Sequence, residues 1–212
     1  MELEAWDLHN DPIRRFIIHC DDLGRSKFFP VSFLNDDDLE HKSSYCNDPD
    51  YLVSDHQSHE LFIVAHYIIA GIDFQDGKLV FREDNLDHKF PDKTLTFDVF
   101  RLDFTNDDHV ELQYLDGALR NRAFFIGSNT SFALSTTQFP KLRPNSIYFT
   151  DNQTSLYRYR KTLNCGGHDL GIYDYKDRCI LSCCYPVDVD KIKRILPTPI
   201  WFPPDVDAQN IV

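Results

Sequence analysis

The sequence predicts an all-β fold: a sandwich, a barrel or a propeller. Helical periodicity is nearly absent from its 212 residues. In its place stand short runs rich in aromatic and β-branched residues. Turn-forming residues punctuate them at Asp76-Gly77, Asn106-Asp107-Asp108, Asp116-Gly117, Gly166-Gly167 and Lys176-Asp177.

The expected strands, in chain order, cover residues 15–19, 28–33, 60–69, 78–81, 95–104, 109–112, 123–126, 146–150, 170–175 and 179–184. The run Leu61-Phe62-Ile63-Val64-Ala65 does not alternate, so that strand needs cover on both faces, as an inner strand between two layers has. Strand 95–104 starts with Leu95, Phe97 and Val99 in phase and then changes to Phe100, Leu102 and Phe104. A bulge near Val99 explains the change, and burial on both faces explains it equally well. One helical turn is expected at 135–139, ended by Pro140. Residues 35–50 and 83–93 are polar, lack periodicity and read as exposed loops. Neither resembles a linker, so residues 1–204 form one domain, with 205–212 as a flexible tail.

Composition narrows the function. No run of about 18 uncharged apolar residues exists, which excludes a membrane-spanning helix and argues against a membrane partner. The net charge of −12 lies in the first half: residues 1–106 carry 22 acidic and 10 basic side chains, and residues 107–212 carry 12 of each. Such a balance repels phosphate backbones, so nucleic acid is not an expected partner. The start, Met1-Glu2-Leu3-Glu4-Ala5-Trp6, has the layout of neither a signal nor a transit peptide. The six cysteines show no framework spacing, so reduced thiols in the cytoplasm or nucleus are expected.

Catalytic motifs are missing. Gly166-Gly167 lacks what a phosphate-cradling loop needs, and Gly127-Ser128-Asn129 reads as a turn and not as a nucleophile elbow. Cys165 and His168 have a metal-chelating gap, with Cys179 and Cys183 near in sequence. Cys183 and Cys184, however, are neighbours on one strand and point to opposite faces, so no four-ligand zinc set converges. Asp36-Asp37-Asp38 lacks the alternation of a calcium loop. No catalytic residue, metal or cofactor is therefore expected. A partner-binding role falls on Tyr157, Arg158, Tyr159, Arg160 and Lys161, which group three cations with two aromatics; the plainer reading is an edge strand guarded by its charges. Trp201, among Pro197, Pro199, Pro203 and Pro204, is expected to insert between layers or against the last sheet.

Several motifs occur in a recognisable order. They are Phe124-Phe125-Ile126-Gly127-Ser128-Asn129-Thr130-Ser131-Phe132, Gln138-Phe139-Pro140-Lys141-Leu142-Arg143-Pro144-Asn145 and Ser146-Ile147-Tyr148-Phe149-Thr150-Asp151. Gly166-Gly167-His168-Asp169-Leu170-Gly171-Ile172-Tyr173-Asp174 and the closing Pro197-Thr198-Pro199-Ile200-Trp201-Phe202-Pro203-Pro204 follow. The order resembles a plant family of F-box-associated β-propellers, the KIB-type propellers, best over residues 51–204 and loosely before. The resemblance implies an incomplete propeller of about four or five blades, closed by the Pro/Trp-rich segment. It also implies a non-catalytic domain that recognises a protein target for Skp–cullin–F-box ubiquitin ligases. Only five residues precede Trp6, too few for a helical F-box, which argues against a Skp-type adaptor as partner. A stand-alone propeller with a structural or organelle-related role is the alternative, and a truncated product without function the third.

Overall fold

The computed structural model describes residues 2–7, 14–19, 46–47, 50–69, 72–75, 78–81, 93–105, 110–150, 169–181 and 200–204. Among the described residues all regular elements are strands: β1 (Glu2–Asp7), β2 (Arg14–His19), β3 (Cys46–Asn47), β4 (Asp50–Asp55), β5 (Glu60–Ile69), β6 (Ile72–Gln75) and β7 (Lys78–Phe81) come first. After them come β8 (Lys93–Asp103), β9 (Glu111–Tyr114), β10 (Arg122–Ile126), β11 (Ser131–Ser135), β12 (Ser146–Phe149), β13 (Gly171–Asp174) and β14 (Cys179–Leu181). The all-β expectation holds, with several strands found where no strand was expected. Among them, β3 and the first residue of β4 fall within the expected loop 35–50. The expected strand 28–33 lies outside the described residues.

Two hairpins, β1–β2 and β6–β7, stand apart from one large sheet in the order β14-β13-β12-β10-β11-β4-β5-β8-β9. Strand β3 extends the β4 edge of β5, pairing with Ile68 and Ile69 beyond the reach of β4. The sheet is mixed: β10 runs parallel to β12, and β11 parallel to β4. These parallel pairings fuse successive hairpins into one surface, consistent with an incomplete propeller, and the described strands do not sort into four or five separate four-stranded blades.

One face of the sheet forms the main core. Val53, Phe62, Val64, Phe97, Val99, Phe124, Ile126, Ile147, Phe149 and Tyr173 lie on it, all buried. Strands far apart in the sheet meet there: Phe97 of β8 is 5.1 Å from Tyr173 of β13, and Phe62 of β5 is 5.1 Å from Phe124 of β10. The sheet therefore curls until its two ends face each other. Strand β5 is buried continuously from Phe62 to Tyr67, as its unbroken apolar run requires.

The phase change in β8 has the second of its two expected causes. Pairing runs unbroken through Val64↔Val99 and Ile63↔Phe100, so no bulge lies at Val99. The register instead slips between Tyr67 and Ile68, leaving Leu95 as the extra residue. Past Val99 both faces are covered, because Leu102 packs with Ile63 in a second cluster on the opposite face.

The turn after β11 contains one helical bond, Phe139 N–H to the Ser135 carbonyl at 3.0 Å, and it ends before Pro140. Asn145 then knots three segments. Its side-chain oxygen accepts from Leu119 N–H at 2.9 Å, its carbonyl accepts from Tyr175 N–H at 2.9 Å, and its N–H donates to the Arg122 carbonyl at 2.9 Å. Its φ of 53° lies in the left-handed region, which asparagine tolerates better than most residues. That explains why an Asn sits immediately before the Ser146-Ile147-Tyr148-Phe149 strand.

Candidate interaction surface

The outer face of the sheet carries a row of apolar side chains set by strand register. Phe125 of β10 lies opposite both Phe132 of β11 and Tyr148 of β12; Tyr148 faces Ile172 of β13, and Ile172 faces Leu181 of β14. The three rings stack nearly parallel, with Phe125 5.0 Å from Phe132 and 4.8 Å from Tyr148. Phe125 and Phe132 are buried, whereas Tyr148, Ile172 and Leu181 are half-buried, so the row opens to solvent toward the β14 edge.

Residues 200–204 lie over the middle of this row. The Trp201 ring stands edge-on to Phe125 at 5.4 Å and to Tyr148 at 6.3 Å. Its indole N–H donates to the Ile126 carbonyl at 2.9 Å. Asn129, in the turn after β10, clamps the main chain: Trp201 N–H donates to Asn129 Oδ1 at 3.3 Å, and Asn129 Nδ2 donates to the Trp201 carbonyl. Gly127 completes the seat. A Cβ there would overlap Thr150 Oγ1 and come 3.6 Å from the Trp201 ring. The flanking Ile200 and Phe202 are 42% and 77% exposed, which leaves an aromatic side chain free for contact beside the row.

Three polar groupings lie elsewhere. Asp169 Oδ2 accepts from both Thr94 N–H and Thr94 Oγ1 at 2.6 Å, and His66 Nε2 is 2.7 Å from that hydroxyl. The threonine proton is committed to the carboxylate, so the imidazole donates from Nε2. His66 Nδ1 has no partner among the described residues, and the ring stacks on Phe97 at 4.4 Å. Burial drives its pKa down to about 3, so the ring is neutral. His, Thr and Asp in line suggest acid–base chemistry, but His66 is 1% and Asp169 8% exposed, so the His–Thr–Asp chain is buried from solvent.

At the β4–β5 turn, Arg122 Nε donates to Asp55 Oδ2 at 2.7 Å and Arg122 Nη2 pairs with Glu60. Glu60 also pairs with Arg101 at 3.2 Å. Burial opposes ionisation of Asp55, but the Arg122 guanidinium, the Ser58 hydroxyl and the backbone of Gln57 and Ser58 outweigh it and hold the carboxyl below its ordinary range. Across the curl, Arg178 stacks on Tyr175 at 4.1 Å and donates to the Phe97 carbonyl and Tyr114 Oη, each at 2.8 Å. Both groupings are structural, with Arg101 Nε the one buried nitrogen in them without a partner among the described residues.

Of the residues singled out in the sequence, Tyr157, Arg158, Tyr159, Arg160 and Lys161 lie outside the described residues, as do Cys165, His168, Cys183, Cys184 and Asp36-Asp37-Asp38. Cys179 is exposed at the start of β14. Gly127-Ser128-Asn129 forms the expected turn, and Trp201 packs against the sheet as expected. The row under Trp201 was not anticipated, although Phe125, Phe132 and Tyr148 all stand in motifs noted for the fold.

The family model described as KIB1-4 beta-propeller matches residues 2–174. That span takes in the first fifty residues and stops short of the Trp201 segment. No curated protein and no solved structure matches the chain.

Proposed function

This chain belongs to the KIB1-4 beta-propeller family, and from that premise we propose that it is a non-catalytic protein-interaction domain. Its working surface is the outer face around Tyr148, Ile172, Leu181 and Phe202. The observation that carries this reading is the distribution of side chains: apolar and aromatic groups open to solvent on the outer face, while the one His–Thr–Asp chain among the described residues is sealed in the interior. Exposed aromatic and aliphatic groups in one patch are what protein partners bury. The finer assignment is target recognition for a Skp–cullin–F-box ubiquitin ligase, with the adaptor contact supplied outside this domain.

The test is affinity capture with the full chain as bait, with and without purified Skp-type adaptor. We expect a reproducible partner that Ile172→Ser and Phe202→Ser variants fail to recover. A partner retained by both variants discards this surface. Direct binding of purified adaptor to the chain discards the placement of the adaptor contact elsewhere.

A further inference from the structure

We propose that the slot formed by Phe125, Gly127, Asn129 and Tyr148 is a peptide-recognition site for an extended, Pro-flanked Trp segment of a partner protein, held in this structure by the chain's own residues 200–204. The inference rests on the interaction reading above and names its site and ligand.

The contacts that seat Trp201 are those that read a short linear segment. One side-chain amide grips both the N–H and the carbonyl of a single residue, as a neighbouring strand would. Two aromatic walls and a glycine floor shape a pocket for an indole, and the Ile126 carbonyl fixes its orientation. The Ile126 carbonyl also accepts from Thr150 N–H at 3.1 Å, so a Phe or Leu in that pocket loses the indole bond without orphaning the carbonyl, and the preference for Trp is worth about one hydrogen bond.

Among the described residues the grip centres on Trp201: Phe202 beside it is 77% exposed and Ile200 42%. Nothing in the contact depends on the segment belonging to the same chain. The tether supplies an effective concentration on the order of millimolar, which sets the affinity a partner must exceed. Pro203 and Pro204 restrict the backbone that follows the occupant, and a competing ligand needs the same pre-organisation.

The experiment is fluorescence anisotropy with a labelled peptide of residues 197–204 and the full chain. The Trp201→Ala chain, with its slot emptied, should bind the peptide at least about tenfold more tightly than wild type. Adding Asn129→Ala should weaken that binding by about tenfold or more. A peptide with Ala in place of Trp should not bind.

Failure of a folded Trp201→Ala chain to bind overturns the proposal. If that variant does not fold, Trp201→Phe takes its place: it keeps a six-membered ring but loses the pyrrole ring and the bond to Ile126, so the peptide should displace it more readily than wild type, and no gain in binding over wild type overturns the proposal. Dimerisation of the wild-type chain that Asn129→Ala abolishes assigns the slot to a second copy and overturns a partner's peptide as its occupant. Partner capture uses no peptide, so loss of peptide binding removes the slot alone, and loss of capture removes the interaction reading.

Discussion

Replacing Tyr175 with phenylalanine removes one oxygen and unpairs two backbone groups. Strands β8 and β9 pair in a register that puts Val99 opposite Leu115, and Leu115 N–H donates to the Val99 carbonyl at 2.9 Å. The return bond is not direct. The Tyr175 hydroxyl sits between them, accepting from Val99 N–H at 3.2 Å and donating to the Leu115 carbonyl at 2.6 Å. The side chain is fully buried, so no water replaces it. Each buried backbone group left unpaired costs about 1–3 kcal/mol, and with partial relaxation the pair should cost about 3 kcal/mol. For a chain of this size that is roughly 6–12 °C in melting temperature. Urea denaturation followed by fluorescence would measure it. Tyr173→Phe is the internal comparison; it removes the bond to the Thr96 hydroxyl, 2.7 Å away, and an interaction with Arg178, unpairs no backbone group, and should cost about 1–2 kcal/mol. A Tyr175→Phe cost below about 1 kcal/mol means that Val99 and Leu115 close the rung themselves, and refutes the argument.

The neutral burial of His66 predicts an acid limb to the stability curve. Its folded pKa of about 3 lies below the unfolded 6.5, so the unfolded chain binds the extra proton and stability falls as pH drops from 6.5 toward 3. The slope approaches about 1.4 kcal/mol per pH unit, and His66→Phe should flatten it between pH 6 and 4.5, above the carboxylate range, in pH-dependent urea melts. Arg122→Ala leaves the Asp55 carboxylate buried without its main partner and should cost about 3–5 kcal/mol; the Asp55→Asn background should recover part of that, and a full loss in the double variant would refute the pairing. Gly127→Ala forces a methyl into Thr150 Oγ1 and should cost about 1–3 kcal/mol, with a smaller penalty in a Thr150→Ala background when both are melted side by side.

Local chemistry made some of this legible. The non-alternating run in β5 announced two-sided burial, and Asp76-Gly77 falls between Gln75 and Lys78, the last pair of the β6–β7 ladder. Pro140 marked the end of the helical turn after β11, where a second turn from Phe139 to Leu142 begins. Strand β4 escaped because Asp50 and Asp55 bracket only four residues, too few for a pattern. Strand β9 was expected two residues early, since its bounds are fixed by pairing with β8 and not by its own alternation. Strand β11 was read as the tail of a motif, and its pairing with β4 joins residues nearly eighty positions apart. For the same reason the row from Phe132 to Leu181 was invisible: it exists only once five strands are in register. The Trp201 seat was half legible, the apolar contact from its prolines and indole, the Asn129 clamp not at all.

Arg178 makes the order of folding a matter of chain entropy. Its contacts with Phe97 and Tyr114 span 81 and 64 residues and bind one end of the sheet to the other. Loops of that length are costly to close before the intervening strands have paired, so this clasp belongs late on the folding route. An interaction absent from the transition state acts almost wholly on the way out. The Arg178 clasp thus sets how long the curled sheet survives once formed, while leaving the speed of its formation to the hairpins.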